Sequence, residues 1–111
     1  MAKKTFIASA DLTGKVGYAV KADGGKVKLA STKGEACLGI VMNDNVAGRG
    51  VGVALVGEVC KAKLAGAVTM GALLAAQADG RLATTGTSEA DVAMALEDGA
   101  ENDLIYVVAL V

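Results

Sequence analysis

G-V-G-V-A-L-V-G-E-V-C-K-A-K-L-A-G, running from Gly50 to Gly66, is the stretch that decides the fold class. Val51, Val53 and Leu55 alternate with Gly52, Ala54 and Val56, the two-residue period of a strand with one face on a core. After Gly57 the phase slips, and Cys60, Ala62 and Leu64 alternate with Lys61 and Lys63. A phase slip at glycine marks a bulge or sharp bend, because glycine takes the needed dihedrals without strain. The stretch therefore predicts two strands, or one sharply bent strand, closing a first half of the chain and opening a second.

The two halves resemble each other at a displacement of 54 residues. Gly17-Tyr18-Ala19-Val20 falls on Gly71-Ala72-Leu73-Leu74, and Leu38-Gly39-Ile40-Val41-Met42 on Val92-Ala93-Met94-Ala95-Leu96. Val51 and Val53 fall on Ile105 and Val107. Between them, Gly25-Lys26-Val27 and Gly80-Arg81-Leu82 are Gly-basic-apolar turns displaced by 55. Duplication is one reading, with pseudo-repeats at about 14–56 and 68–110; two unrelated runs of hairpins in one sheet is the other. Both make the chain a set of short strands.

Composition points the same way. One domain is expected from 111 residues, with 53% hydrophobic residues but only Phe6, Tyr18 and Tyr106 as aromatics. The core must come from Val, Leu, Ile, Met and Ala; with 15 Gly and no Pro, tight β structure is favoured over a helical bundle. The expected fold is all-β, a small barrel or sandwich of short strands with at most one short helix. Residues 1–10 read as an N-terminal arm or edge strand and 11–111 as a single β domain.

In chain order, strands are expected over 16–21 and 27–30, joined by a hairpin turn at Asp23-Gly24-Gly25-Lys26. Others follow over 37–42 and 104–111. Met70 to Ala78 and Thr87 to Asp91 carry helix-favouring residues, yet the displacement pairs both with strands. Strands are therefore expected, with a hairpin turn at Asp79-Gly80 and one helical turn near 88–91.

Net charge is −1, which gives no global pull towards nucleic acid. The charge is split along the chain, however. Residues 1–63 hold ten of the eleven basic groups and five acids, whereas residues 64–111 hold Arg81 and seven acids. Solvated loops of opposite bias are one reading; a charge-complementary contact with a neighbouring subunit or a lattice is the other. Leu64 to Ala76, the longest apolar stretch, is broken by Gly66, Thr69 and Gly71, so no transmembrane helix and a soluble chain are expected. Lys3 and Lys4 precede too short an apolar run for a signal-peptide core.

Catalytic chemistry finds little to work with. Without histidine the chain has no usual general base and no triad, and Ser9, Ser31 and Ser88 have no activating neighbours. Cys37 and Cys60 lie in apolar runs without CxxC spacing and read as buried, reduced residues, with a disulfide as the lesser alternative. Gly48-Arg49-Gly50-Val51-Gly52 lacks the spacing and following helix of a phosphate cradle. Glu97, Asp98, Glu101 and Asp103 lack the alternating acidic spacing of a calcium loop. Val68 to Leu74 resembles the V-x-x-G-x-x-L run of biotinyl and lipoyl carrier domains, but the lysine they require at a hairpin tip is missing from Ala93-Met94-Ala95-Leu96. Neither an enzyme nor a carrier is expected, and neither a metal nor a cofactor.

The order of the remaining motifs resembles the small capsid decoration, or cement, proteins of tailed bacteriophages. The matching runs are G-Y-A-V-K with D-G-G-K-V-K-L-A (Gly17 to Ala30), L-G-I-V (Leu38 to Val41) and G-V-G-V-A-L-V-G-E-V (Gly50 to Val59). A-G-A-V-T-M-G-A-L-L (Ala65 to Leu74), V-A-M-A-L-E (Val92 to Glu97) and the terminal L-I-Y-V-V-A-L follow. The chain departs from the family pattern at Ala93, where the family has Gly. The resemblance implies a compact β domain on the outer surface of an expanded phage head, made in the bacterial host cytoplasm. It further implies a homotrimer that binds the major capsid protein and stabilises the lattice, with no nucleic acid and no membrane as partner. The N-terminal segment Lys3, Lys4, Thr5, Phe6 and Ile7 is the candidate capsid contact, being basic at one end and apolar at the other. A free-standing β-barrel or β-clip module binding a small ligand or a protein is the alternative.

Overall fold

A computed structural model describes residues 3–111. Ten strands form, and no helix among the described residues. The first five are β1 (Lys3–Ile7), β2 (Ala19–Asp23), β3 (Lys26–Leu29), β4 (Gly39–Asn43) and β5 (Gly50–Ala54). The second five are β6 (Val59–Lys63), β7 (Leu73–Ala76), β8 (Leu82–Thr84), β9 (Ala93–Ala95) and β10 (Leu104–Ala109). They make two antiparallel sheets, ordered β1-β5-β4-β2-β3 and β6-β10-β9-β7-β8. Adding five to each strand number of the first sheet gives the second, so the two sheets share one topology. The stretch from Gly50 to Gly66 does close one sheet as β5 and open the other as β6.

The repeat extends to individual backbone bonds. Gly17 N donates to Val41 O and Val41 N to Tyr18 O; Gly71 N donates to Ala95 O and Ala95 N to Ala72 O. Leu38 N donates to Val20 O as Val92 N does to Leu74 O. Each pair is displaced by 54. Before residue 13 the displacement is 56: the parallel bridge Ala8↔Val27 recurs as Leu64↔Leu82, and Ala8 N→Arg49 O as Leu64 N→Asp103 O. The loop reaching Gly17 is thus two residues longer than the one reaching Gly71. Each bridge ties the first strand of a sheet to its third and curls that sheet towards closure.

Alternation sets the inner faces. In β5, Val51 and Val53 are fully buried, while Gly50 and Gly52 are partly exposed. Those valines join Ala8, Leu12, Val20, Val27 and Val41 in the core of the first sheet. A larger core fills the second sheet and takes in Ala19, Ala30, Ile40 and Ala54 from the outer face of the first. The two sheets therefore pack with the outer face of one against the inner side of the other. Small side chains at Ala19 and Ala54 permit that close approach.

Two local expectations are corrected. The strand expected from Val16 begins at Ala19, because the 54-residue repeat places a turn at Gly17, φ 90°, as at Gly71, φ 89°. The β2–β3 hairpin turn forms where it is expected, between Asp23 and Lys26, with Gly24 and Gly25 at φ 59° and 84°. Asp23 pairs with Lys26 across the ladder and accepts a hydrogen bond from Ser9 Oγ at 2.6 Å. No helical turn forms at 88–91: Ser88 takes φ 64° in a turn, Glu89 N donating to Gly86 O. Met70 to Ala78 yields strand β7 despite its helix-favouring residues, since pairing with β8 and β9 overrides local propensity.

Candidate functional site

The candidate segment Lys3–Ile7 is strand β1, at the edge of the first sheet and paired residue by residue with β5. Its side chains separate by alternation. Phe6 stands opposite Val51 and packs on the first core, so it serves the domain itself. Lys4 lies on the same side, with its Nζ 4.8 Å from the centre of the Phe6 ring. Lys3, Thr5 and Ile7 stand opposite Ala54, Gly52 and Gly50 on the other face. The glycines leave that face shallow, and the Thr5 Cγ2 methyl lies over Gly50.

The structure does not bring all five residues to one surface. Lys3, Lys4 and Thr5 line an open cleft with Met42, Asn43 and Gly52. Asn43 shapes its floor, its side-chain oxygen accepting a bond from Gly52 N at 3.0 Å, beside an irregularity in the β4–β5 register. Ile7 lies at the far end of the strand, 42% exposed. Two lysines, a threonine and an asparagine amide can meet an acidic or hydrogen-bonding protein surface. They offer no nucleophile paired with a base.

Sequence reasoning missed a second surface. On the outer face of the second sheet, Leu73 stands opposite Met94, Met94 opposite Val108, and Val108 opposite Val59. Leu73 is 43% and Val59 52% exposed, and Met94 and Val108 are partly exposed. A readable signal existed in β10, where Leu104, Tyr106 and Val108 alternate with buried Ile105, Val107 and Ala109. A half-buried strand ordinarily alternates apolar with polar residues; here both faces are apolar.

Elsewhere several carboxylates hold turns, whereas Glu58 Oε1 and Thr85 Oγ1 are buried without a hydrogen-bond partner. Glu35 Oε2 accepts bonds from Ser31 N and Thr32 N, both at 2.7 Å, while its other oxygen meets Lys21 Nζ at 3.1 Å. Burial alone would raise its pKa, but the Thr32 and Ser31 amides and the Lys21 ammonium together bring it below the usual value. The acids of the 97–103 loop act similarly. Glu97 accepts from Tyr106 N at 2.7 Å, Asp98 from Met70 N at 2.8 Å and Asp103 from Ala100 N at 2.8 Å. Arg81 binds Asp79 at 2.6 Å and Glu101 at 3.6 Å, forming a small surface network.

Both cysteines are free thiols. Burial, with the nearby negative charge of Glu35, pushes Cys37 up to about 11. Burial and Glu58 do the same to Cys60, also to about 11. Neither is a ready nucleophile at neutral pH. Among the described residues no group of three or more Cys, Asp or Glu is placed to hold a metal ion, and no helix is long and apolar enough to cross a membrane.

No family model matches the sequence, and no curated protein does. The fold has a counterpart among solved structures in the N base of the head fiber gp8.5 of bacteriophage phi29. The TM-score is 0.69 at 14% sequence identity, over 97% of this chain and 92% of that one. At that identity the likeness establishes a shared fold across nearly the whole of both chains.

Proposed function

We propose that this chain is a non-enzymatic structural protein of a bacteriophage head, bound to the outer surface of the capsid and stabilising its lattice through the major capsid protein. The observation that carries the reading is the fold shared with a phage head fiber base over 97% of the chain. It agrees with the order of motifs that resembles capsid decoration proteins. Support also comes from the surface chemistry: open clefts, carboxylates spent on turns, and thiols suppressed by burial.

The contact surface in this reading is the cleft at Lys3, Lys4 and Thr5 at the open end of β1. One such patch need not bind tightly. If a single copy binds at ~10 μM and linkage within a homotrimer supplies ~mM effective concentration, each further copy gains ~100-fold, giving roughly nM overall. The assembly requires no cofactor, nucleic acid or membrane, and its place is the virion surface after synthesis in the host cytoplasm.

Co-sedimentation with expanded heads of the encoding phage tests the reading. Saturable pelleting at a fixed ratio to the major capsid subunit is the expected result. Protein that stays at the top of the gradient at every concentration would refute it.

A further inference from the structure

The two sheets of one chain meet in a way that does not close on itself. Ala19 N donates to Gly80 O at 2.7 Å, Lys63 N to Gly17 O at 2.9 Å and Gly34 N to Ala76 O at 2.8 Å. In these three bonds the first sheet presents the start of β2, the turn before it or the β3–β4 loop, and the second presents the end of β6 or the β7–β8 hairpin. A fourth bond, Ala90 N to Gly34 O at 3.0 Å, joins the β3–β4 loop to its repeat counterpart, the β8–β9 loop. A two-fold arrangement would repeat each bond with the roles of the sheets exchanged. The exchanged bonds would join Leu73 to the Gly24-Gly25 turn, Ile7 to Gly71 and Ser88 to Ala22. None of them is made among the described residues. The contact is thus head-to-tail, and one unused copy of each half of it remains.

Both unused halves are preformed. Gly17 sits at φ 90°, so close to the second sheet that a Cβ there would meet Leu104 Cδ2 at 2.7 Å and Lys63 N at 2.8 Å. Its repeat partner Gly71 holds φ 89° with nothing within 4 Å of the same position. Gly34 holds φ 77° against the second sheet; its partner Ser88 holds φ 64° although it is not glycine, and it is exposed although its neighbours Glu89 and Ala90 hold the loop to Gly34. Beside these loops, Leu73, Met94 and Val108 repeat Ala19, Ile40 and Ala54, which the second sheet buries completely. At the other end of the chain Ile7 repeats Lys63 and is 42% exposed.

We propose that the chain associates head-to-tail with further copies of itself, the Leu73–Met94–Val108 face of one copy covered by the Ile7 end of β1 and the β2–β3 hairpin of the next. Continuity with the contact inside the chain identifies the occupant as a second copy. Charge complementarity agrees, since residues 1–57 carry eight Lys or Arg against four Asp or Glu, and residues 58–111 three against eight. A head-to-tail contact closes into a ring when its rotation allows. The inference stands on the internal repeat and is independent of attachment to a phage head.

Sedimentation velocity at about 100 μM, with Leu73→Glu and Ile7→Glu as blocking variants, tests it. Wild type should sediment as a multiple of 11.0 kDa and each variant as a monomer with an unchanged circular dichroism spectrum. Each variant keeps one good end, so an equal mixture should form a pair of twice 11.0 kDa. Val59→Lys is a control expected to associate normally, because its repeat partner Lys3 lies exposed outside the covered area. Monomeric wild type, association surviving Leu73→Glu, a mixture that forms no pair, or association lost in Val59→Lys would each overturn the proposal. So would Leu73→Glu that keeps its mass but no longer pellets with heads, since that face would then belong to the capsid contact. Association of the expected kind without head binding would uphold this inference and sink the proposed function alone.

Discussion

Glu35 and Glu89 stand 54 residues apart and hold the same loop in the two sheets. Glu35 accepts from Thr32 N at 2.7 Å and Glu89 from Gly86 N at 2.8 Å, at equivalent positions. Glu89 also lies against Gly34, and its carboxylate is 3.8 Å from Lys33 Nζ, so one of the two loops is fastened to the other. A carboxylate three residues after the amide it binds is a turn device, and its appearance at these two equivalent positions is the repeat expressed in side chains.

Glu35→Ala should therefore cost about 1–2 kcal/mol in chemical denaturation, since two backbone amides lose a charged acceptor. The folded-state pKa of Glu35 is depressed, so its contribution is present above the ordinary carboxylate value of 4.5 and disappears as pH falls through the lower folded value. Wild type should lose stability below about pH 4.5, and Glu35→Ala should show a shallower loss over that window. A parallel pH dependence of the two proteins would contradict this account.

Gly17 and Gly71 share one backbone conformation and differ in what surrounds them. Gly71→Ala should cost only the strain of a left-handed alanine, about 1 kcal/mol. Gly17→Ala adds an overlap with Lys63 N and Leu104 across the sheet contact, and should cost about 2–4 kcal/mol. Urea unfolding of the two variants at a few μM reads the difference; equal losses would mean that the Gly17 contact contributes nothing.

Ala54 and Val108 pose the same comparison in the sheet face. Ala54 is fully buried between the sheets, whereas Val108 is partly exposed. Ala54→Val should destabilise by about 1–3 kcal/mol through overpacking. Val108→Ala should change the stability of the single chain by less than about 1 kcal/mol, because little of its surface is removed from water. Thermal melts at low protein concentration provide the check.

The thiols make a prediction at the alkaline end. Both folded pKa values are raised, to about 11, above the ordinary 9.0. Their contribution is fully present below pH 9.0 and is lost as pH rises towards about 11, where the unfolded chain gains from ionising first. Replacing both cysteines by serine or alanine should flatten stability between those limits. A thiol reagent at pH 8 should modify the folded protein slowly and both cysteines at once on unfolding.

Much of this molecule was legible in one dimension. Period-2 alternation at Val51–Val53 and Cys60–Ala62, broken at Gly57, marks a strand ending one unit and a strand starting another, because a strand's side chains must alternate and only glycine bends the chain cheaply. The 54-residue displacement follows from Val20, Val41, Val51 and their partners Leu74, Ala95 and Ile105, since each half buries these inner-face positions. The absence of histidine leaves the chain without the usual general base.

Only the tertiary structure decided which faces meet. Nothing local distinguishes Ala54, covered by the second sheet, from Val108 at the same place in the repeat, because burial of an outer face depends on what is carried there from elsewhere in the chain. The segment Lys3–Ile7 divides between core, cleft and far edge for the same reason: pairing with β5 assigns alternate residues to opposite faces, and the curl of the sheet separates the strand's ends. Local propensity wrote helix into Met70–Ala78; ladder bonds to two neighbouring strands outweighed it, and those bonds exist only once the sheet is assembled.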